Sequence, residues 1–246
     1  MTAPVFLVQS EQLFSDTCRI DGDEGRHAAT VKRMRVGERL DVCDGLGNRA
    51  SGLATSVGRD WVELRIDQRS FEDQHPVQFT AIQAIAKGDR ADLALELLTE
   101  IGIDRIIPWQ SQHSVAKWDD SGKSLAKWQR VVREASKQSR RAWVPEISEL
   151  ASNLTDVVSQ FDSLIVLHET ADESLANVEL PSLGEVAIVI GPEGGISHDE
   201  IAQLKAAGAH ILRMGTTVMR TSTAGGAALA VLCAKTSRWQ PSEVKE

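Results

Sequence analysis

No apolar run in this 246-residue chain approaches the roughly 20 residues that a membrane-spanning helix needs. No membrane partner is therefore expected. The first residues, Met1-Thr2-Ala3-Pro4-Val5-Phe6, lack the basic stretch and long apolar core of a secretory signal. Cysteine is scarce: Cys18, Cys43 and Cys233 are odd in number and widely scattered, which argues against a disulfide framework or a zinc site. These absences point to a cytoplasmic protein with reduced thiols and no metal. Two nucleotide signatures are missing as well. Neither the G-x-G-x-x-G spacing nor G-x-x-x-x-G-K-[ST] occurs, which speaks against an ordinary phosphate cradle.

What is present is the composition of a soluble globular chain, 42% hydrophobic and 25% charged, long enough for one large domain or two ordinary ones. The net charge of −8 would argue against a nucleic-acid partner, but it hides a local reversal. Between Lys117 and Arg141 eight Lys/Arg face only three acids, and Arg26, Lys32, Arg33, Arg35 and Arg39 form a second basic cluster. Local fields govern docking, so the total weighs little against RNA.

Residues 1–73 read as β-rich. Val5–Val8, Arg39–Cys43 and Trp61–Ile66 are short strand candidates separated by Gly- and Asp-bearing turns, with one short helix over Glu24–Met34. The expectation is a small barrel-like domain. The polar run Phe71–Pro76 ends in proline and marks the boundary. Residues 74–246 alternate instead. Strands are expected at Val77–Ala86, Ile103–Pro108, Ser163–His168, Glu185–Ile190 and Ala209–Met214. Helices are expected at Asp89–Ile101 (with Leu93, Leu97 and Leu98 at helical spacing), Ser121–Arg141 and Ser222–Lys235. Ser197-His198-Asp199-Glu200 is a capping box that opens a further helix through Ala207. Repeated β-α units imply an α/β fold with a mainly parallel sheet covered on both faces.

Two apolar runs end in glycine turns: Ile188–Ser197, containing Gly191-Pro192-Glu193-Gly194-Gly195, and Met214–Thr221, containing Gly215. Loops at the carboxyl ends of parallel strands are where α/β proteins build ligand sites. The glycines are explained equally by a turn needing positive φ or by a ligand lying on bare backbone. Arg220, set among Thr216, Thr217, Thr221, Ser222 and Thr223, is either a substrate-positioning residue or a surface arginine before a Ser/Thr-capped helix. Two such loops make an adenosine-sized pocket the better reading.

The Gly-Pro-Glu-Gly-Gly loop, the Met214–Ala224 segment and the Ala-rich final helix resemble the ribosomal RNA small-subunit methyltransferase E family, in the SPOUT superfamily of trefoil-knotted methyltransferases. Further segments are similar to its signatures: Lys87-Gly88-Asp89-Arg90, Thr99–Ile103, Glu134–Arg141 and His27–Gly37. The resemblance covers nearly the whole chain in order. It implies a PUA-like RNA-binding barrel over 1–73 and a knotted domain over 74–246. It implies methylation of N3 of one uridine in 16S rRNA by a homodimer. S-adenosylmethionine would be held around Leu167, His168, Ile190, Gly191, Gly194, Gly195, Met214, Gly215, Val218, Arg220 and Thr221. Two departures stand out: Ser222 replaces a frequent Glu, and His113 occupies a position where Arg is common.

Such a reaction must remove the N3 proton and stabilise charge on the uracil oxygens. Arg220 is the first candidate for the electrostatic role. Glu193, His168 or water could accept the proton. On the basic helix, Lys127, Arg130, Arg133, Lys137 and Arg140 or Arg141 recur at steps of three and four, with few nearby acids to neutralise them. With Lys32, Arg33, Arg35 and Lys87 they are the expected phosphate contacts. Trp109, Trp118, Trp128 and Trp143 could stack on bases, though buried packing is the more common fate. The competing readings are a non-catalytic RNA-binding or assembly protein of the same fold, suggested by Ser222, and a methyltransferase with another RNA target.

Overall fold

The computed structural model describes residues 3–240. It divides into two compact units: the residues up to Gln74 with Glu134–Val144, and His75–Arg133 with the residues from Pro145 on.

The first unit holds β1 (Val5–Leu7), α1 (Ser10–Leu13), β2 (Thr17–Ile20), α2 (Gly22–Arg26), β3 (Arg39–Cys43), β4 (Asn48–Val57) and β5 (Val62–Phe71). Its five-stranded sheet runs β1-β3-β4-β5-β2, antiparallel except for the β1–β3 pair. Phe6, Leu13, Ile20, Leu40, Val42, Val62 and Leu64 build its core. β4 has no hydrophobic alternation to announce it. Its inward positions are Ala50, Gly52 and Ala54, small because β5 lies very close; a Cβ on Gly52 would sit 2.1 Å from the Arg65 carbonyl oxygen. The helix expected over Glu24–Met34 is shorter. α2 passes into a π-helical turn, His27–Val31, and Arg33 then adopts a φ of 53°. Gly25 lets α2 press backbone on backbone: a Cβ there would lie 2.3 Å from the Asp60 carbonyl and 2.7 Å from that of Ile20.

The second unit holds β6 (Val77–Ala84), α3 (Asp89–Ile101), β7 (Arg105–Trp109), the first part of α4 (Lys123–Gln138), β8 (Glu146–Ile147), α5 (Thr155–Val158), β9 (Ser163–Leu167), β10 (Glu173–Ser174), β11 (Gly184–Ile190), α6 (His198–Ala206), β12 (His210–Arg213) and α7 (Thr221–Ala234). Its seven strands run β10-β12-β9-β11-β6-β7-β8, every pair parallel. Ala187 and Val189 of β11 face a cluster with Ile107, Trp109, Leu154 and Leu204, while Ile190 faces α7 on the other side. Burial on both faces is what makes these strands read as continuous apolar runs. In α3 the buried apolar positions are Ala91, Ala94, Leu95 and Leu98; Leu93, expected inside, is 40% exposed.

The Gly225-Gly226 pair, costly within a helix, has a packing cause. A Cβ on Gly225 would come within 3.2 Å of Ile190, and one on Gly226 within 3.1 Å of Leu97. These glycines let α7 settle against α3 and β11, and the start of α7 is thereby brought to the end of β11.

Candidate functional site

β11 and β12 are not neighbours; β9 lies between them. Three carboxyl ends therefore stand side by side, and β9 supplies a third wall through Leu167 and His168. The His168 N–H donates to the Leu212 carbonyl at 2.9 Å, which carries the β9–β12 ladder one residue past the strand. Its Nδ1 accepts from the Thr170 N–H at 3.3 Å.

The glycines of the first loop serve three different purposes. Gly195 closes a turn, its N–H donating to the Pro192 carbonyl at 2.9 Å with φ at +76°. Gly191 has no room for a side chain, because a Cβ would stand 2.6 Å from Cγ1 of Ile196. At Gly194 the obstacle would be His113, whose Cβ lies 3.0 Å from that position. The Thr221 hydroxyl donates to the Gly191 carbonyl at 2.9 Å and ties the start of α7 to the loop. The capping box forms as expected: Ser197 Oγ accepts from the Glu200 N–H, and the Glu200 carboxylate accepts from the Ser197 N–H at 2.8 Å.

Together these loops enclose a cavity of about 600 Å³, within the range of small-molecule sites. All eleven residues that the resemblance connects with a cofactor line it, and so does Glu193. A Cβ on Gly195 or Gly215 would meet no protein atom within 4 Å, so both border open volume. Arg220 is exposed, and its guanidinium makes no hydrogen bond or ion pair within the described residues. Glu193 is engaged: Arg90, from the start of α3, pairs with it at 3.3 Å. Arg90 also lines the cavity and was missed as a site residue, although it stands in one of the family-like segments. Its signal was a charged residue just after the glycine that precedes α3, Gly88. Ser222 is buried and lies outside the lining, between Thr221 and Ala224, which are within it.

The basic helix departs from expectation in ways that matter. α4 ends at Gln138, not Arg141, and Arg140 takes a φ of 60° beyond it. Lys127 pairs with Asp92 at 2.7 Å. Lys137, expected to contact phosphate, is only 9% exposed and is held by Glu24 and Glu134, each at 2.8 Å. The neutralising acids come chiefly from other elements, where helical periodicity cannot reveal them. Lys137 is thus a structural ion-pair residue. Arg130, Arg133 and Arg140 are exposed; Arg141 is half-buried and donates from Nε to the Trp143 carbonyl at 3.1 Å. Lys32, Arg33, Arg35 and Lys87 are exposed. The four tryptophans considered as base-stacking candidates pack rather than present faces. Trp109 and Trp128 are buried, Trp118 sits edge-on to Trp128, and the Trp143 indole donates to the Glu72 carbonyl.

Residues 73–233 match the family model for an RNA methyltransferase domain, and residues 20–67 match one for an RNA methyltransferase PUA domain. The chain is 39% identical, over 98% of its own length and 95% of the other's, to the ribosomal RNA small subunit methyltransferase E of Mycobacterium tuberculosis. This chain belongs to that methyltransferase family. Two solved structures share its fold over nearly their whole length. The family member from Neisseria gonorrhoeae bound to S-adenosylmethionine has a TM-score of 0.83, 27% identity and coverage of 96% of this chain and 98% of that one. A Legionella pneumophila protein in complex with the cofactor SAM gives 0.87, 26%, 96% and 99%. Among the described residues no group of three His, Cys, Asp or Glu gathers as a metal site would require, and no helix is long and apolar enough to cross a membrane.

Proposed function

We propose that this protein methylates N3 of a uridine in 16S rRNA of the small ribosomal subunit, using S-adenosylmethionine bound in the cavity at the ends of β9, β11 and β12. The observation that carries this reading is Arg220, exposed on the wall of that cavity and without a side-chain partner among the described residues. S-adenosylmethionine supplies an electrophilic methyl group. The residues fit such a ligand: bare backbone at Gly194, Gly195 and Gly215, apolar Leu167 and Ile190, and polar groups of both signs at the rim. Backbone N–H and C=O groups select a flat adenine-like ring without side-chain reach.

The protein's contribution is chiefly alignment of the nucleophilic nitrogen with the methyl carbon, a task for pre-formed walls. As the imide proton leaves, negative charge spreads over the uracil oxygens, and the Arg220 guanidinium stabilises it. Glu193 is assigned the proton, with Arg90 orienting its carboxylate. RNA phosphates contact exposed Arg130, Arg133 and Arg140, together with Lys32, Arg33, Arg35 and Lys87; half-buried Arg141 is a lesser contact. The sheet of the first unit belongs to a PUA-like barrel, a proposal the match at residues 20–67 supports. The second unit is a SPOUT trefoil knot, which fits a chain that leaves β11 and must cross β9 to reach β12. We place the enzyme in the cytoplasm and read it as a homodimer; its domains are 1–73 and 74–246, except that Glu134–Val144 packs with the first.

The test is transfer of tritiated methyl from S-adenosylmethionine to small subunits from a strain lacking the enzyme, followed by nucleoside analysis. The expected product is 3-methyluridine. A ribose-methylated nucleoside would overturn the base assignment, and cofactor binding without transfer would overturn the enzyme.

A further inference from the structure

We propose that His113 is a positioning residue for the glycine loop, a clamp that holds Gly194–Ile196 in the shape that walls the cavity. The loop's role as a cofactor wall rests on the function proposed above; the clamp itself rests on geometry. His113 lies in the segment after β7. Its Nδ1 stands 3.1 Å from the Gly194 carbonyl oxygen and 3.2 Å from that of Gly195. Both partners are acceptors, so Nδ1 carries the proton and the N–H is shared between them.

Holding the Gly195 carbonyl also directs the Ile196 N–H. The two belong to one planar trans peptide and point in opposite directions. That N–H has no backbone acceptor among the described residues, and Ile196 lines the cavity. The clamp thus orients a free donor at the cavity wall.

His113 can act this way because its own segment is fixed to the far end of the same loop. The Glu200 carboxylate, on a residue 5% exposed, accepts from the Ser197 N–H at 2.8 Å, the Gln112 N–H at 2.9 Å and the Ser111 hydroxyl at 3.3 Å. One buried anion joins the entry to α6 to the residues before His113, and charge-assisted bonds of this kind are the stronger ones. The absence of a side chain at Gly194 allows the close approach, since a Cβ there would stand 3.0 Å from the His113 Cβ and 3.3 Å from its carbonyl oxygen.

The experiment compares the full chain with His113→Ala and His113→Asn, whose amide offers a donor near the place of Nδ1. Three quantities are measured: hydrogen exchange over 191–197 without ligand, KM and kcat for S-adenosylmethionine, and urea stability. His113→Ala should speed exchange in that segment about tenfold and raise KM about tenfold with kcat within about twofold, as loss of loop preorganisation predicts. His113→Asn should recover most of both effects. Unchanged exchange and KM in His113→Ala would overturn the proposal, as would faster exchange throughout the second unit. Faster local exchange in a protein whose parent binds no S-adenosylmethionine would uphold the clamp and refute the cofactor reading.

Discussion

Replacing Arg220 by alanine separates chemistry from folding. Arg220 precedes α7, and its backbone carbonyl accepts from the Thr223 and Ala224 N–H groups at 2.9 Å each. Alanine keeps both bonds. The side chain is exposed and has no partner among the described residues, so its loss should change stability by no more than about 0.5 kcal/mol, as for other surface positions. The catalytic cost is of another size. Removing one pre-aimed donor from developing charge costs about 2.7–4 kcal/mol, or a factor of about 10²–10³ in kcat. Ground-state contact with the cofactor is worth less, so its Kd should move by under about tenfold. Single-turnover methyl transfer to small subunits, calorimetric titration with S-adenosylmethionine and thermal melting provide the three readings. Loss of rate matched by equal loss of cofactor affinity would make Arg220 a binding residue. A fall in Tm with intact kinetics would leave it with no part in the reaction.

The ion pairs on α4 divide its cations into two groups. Arg130→Glu with Arg133→Glu should weaken RNA binding and flatten its salt dependence with little effect on urea unfolding, whereas an unchanged salt slope would remove this face from the RNA contact. Lys137→Met should instead destabilise by about 3 kcal/mol, because it strands the Glu24 carboxylate, which is 18% exposed; equal stability in urea would contradict the pairing. Burial holds the Cys18 and Cys43 thiols up at about 11, reinforced at Cys18 by the nearby charge of Asp21. Both should resist iodoacetamide at pH 8 until the chain unfolds, and rapid labelling of the native protein would refute this. Because these folded values are raised, the associated stability is whole below pH 9.0 and declines as pH climbs toward 11, which alkaline melting curves would show.

Much of this architecture was legible in the chain itself, and the reasons are local. The buried parallel strands β9 and β11 carry unbroken apolar runs, Leu164–Leu167 and Val186–Ile190, and Ser197 with Glu200 writes a helix start in four residues. α3 was marked at its end by Gly102, whose φ is 124°. β4 was invisible because close approach of β5 demands small inward residues, which erases the alternation a strand normally shows. The two-residue strands β8 and β10 are too short to carry any period.

By itself the sequence determined the two-part plan, the loops that border the cavity and the kinship to rRNA methyltransferases. Each depends on residues near one another along the chain. Only the tertiary structure decided that β9 separates β11 from β12, that Glu24 and Asp92 occupy Lys137 and Lys127, and that His113 lies on Gly194. The physical reason is the range of the forces involved. Helix and strand periods are set within a few residues. Which carboxylate meets a given ammonium, and which loop closes on which glycine, is settled only when distant segments are packed together.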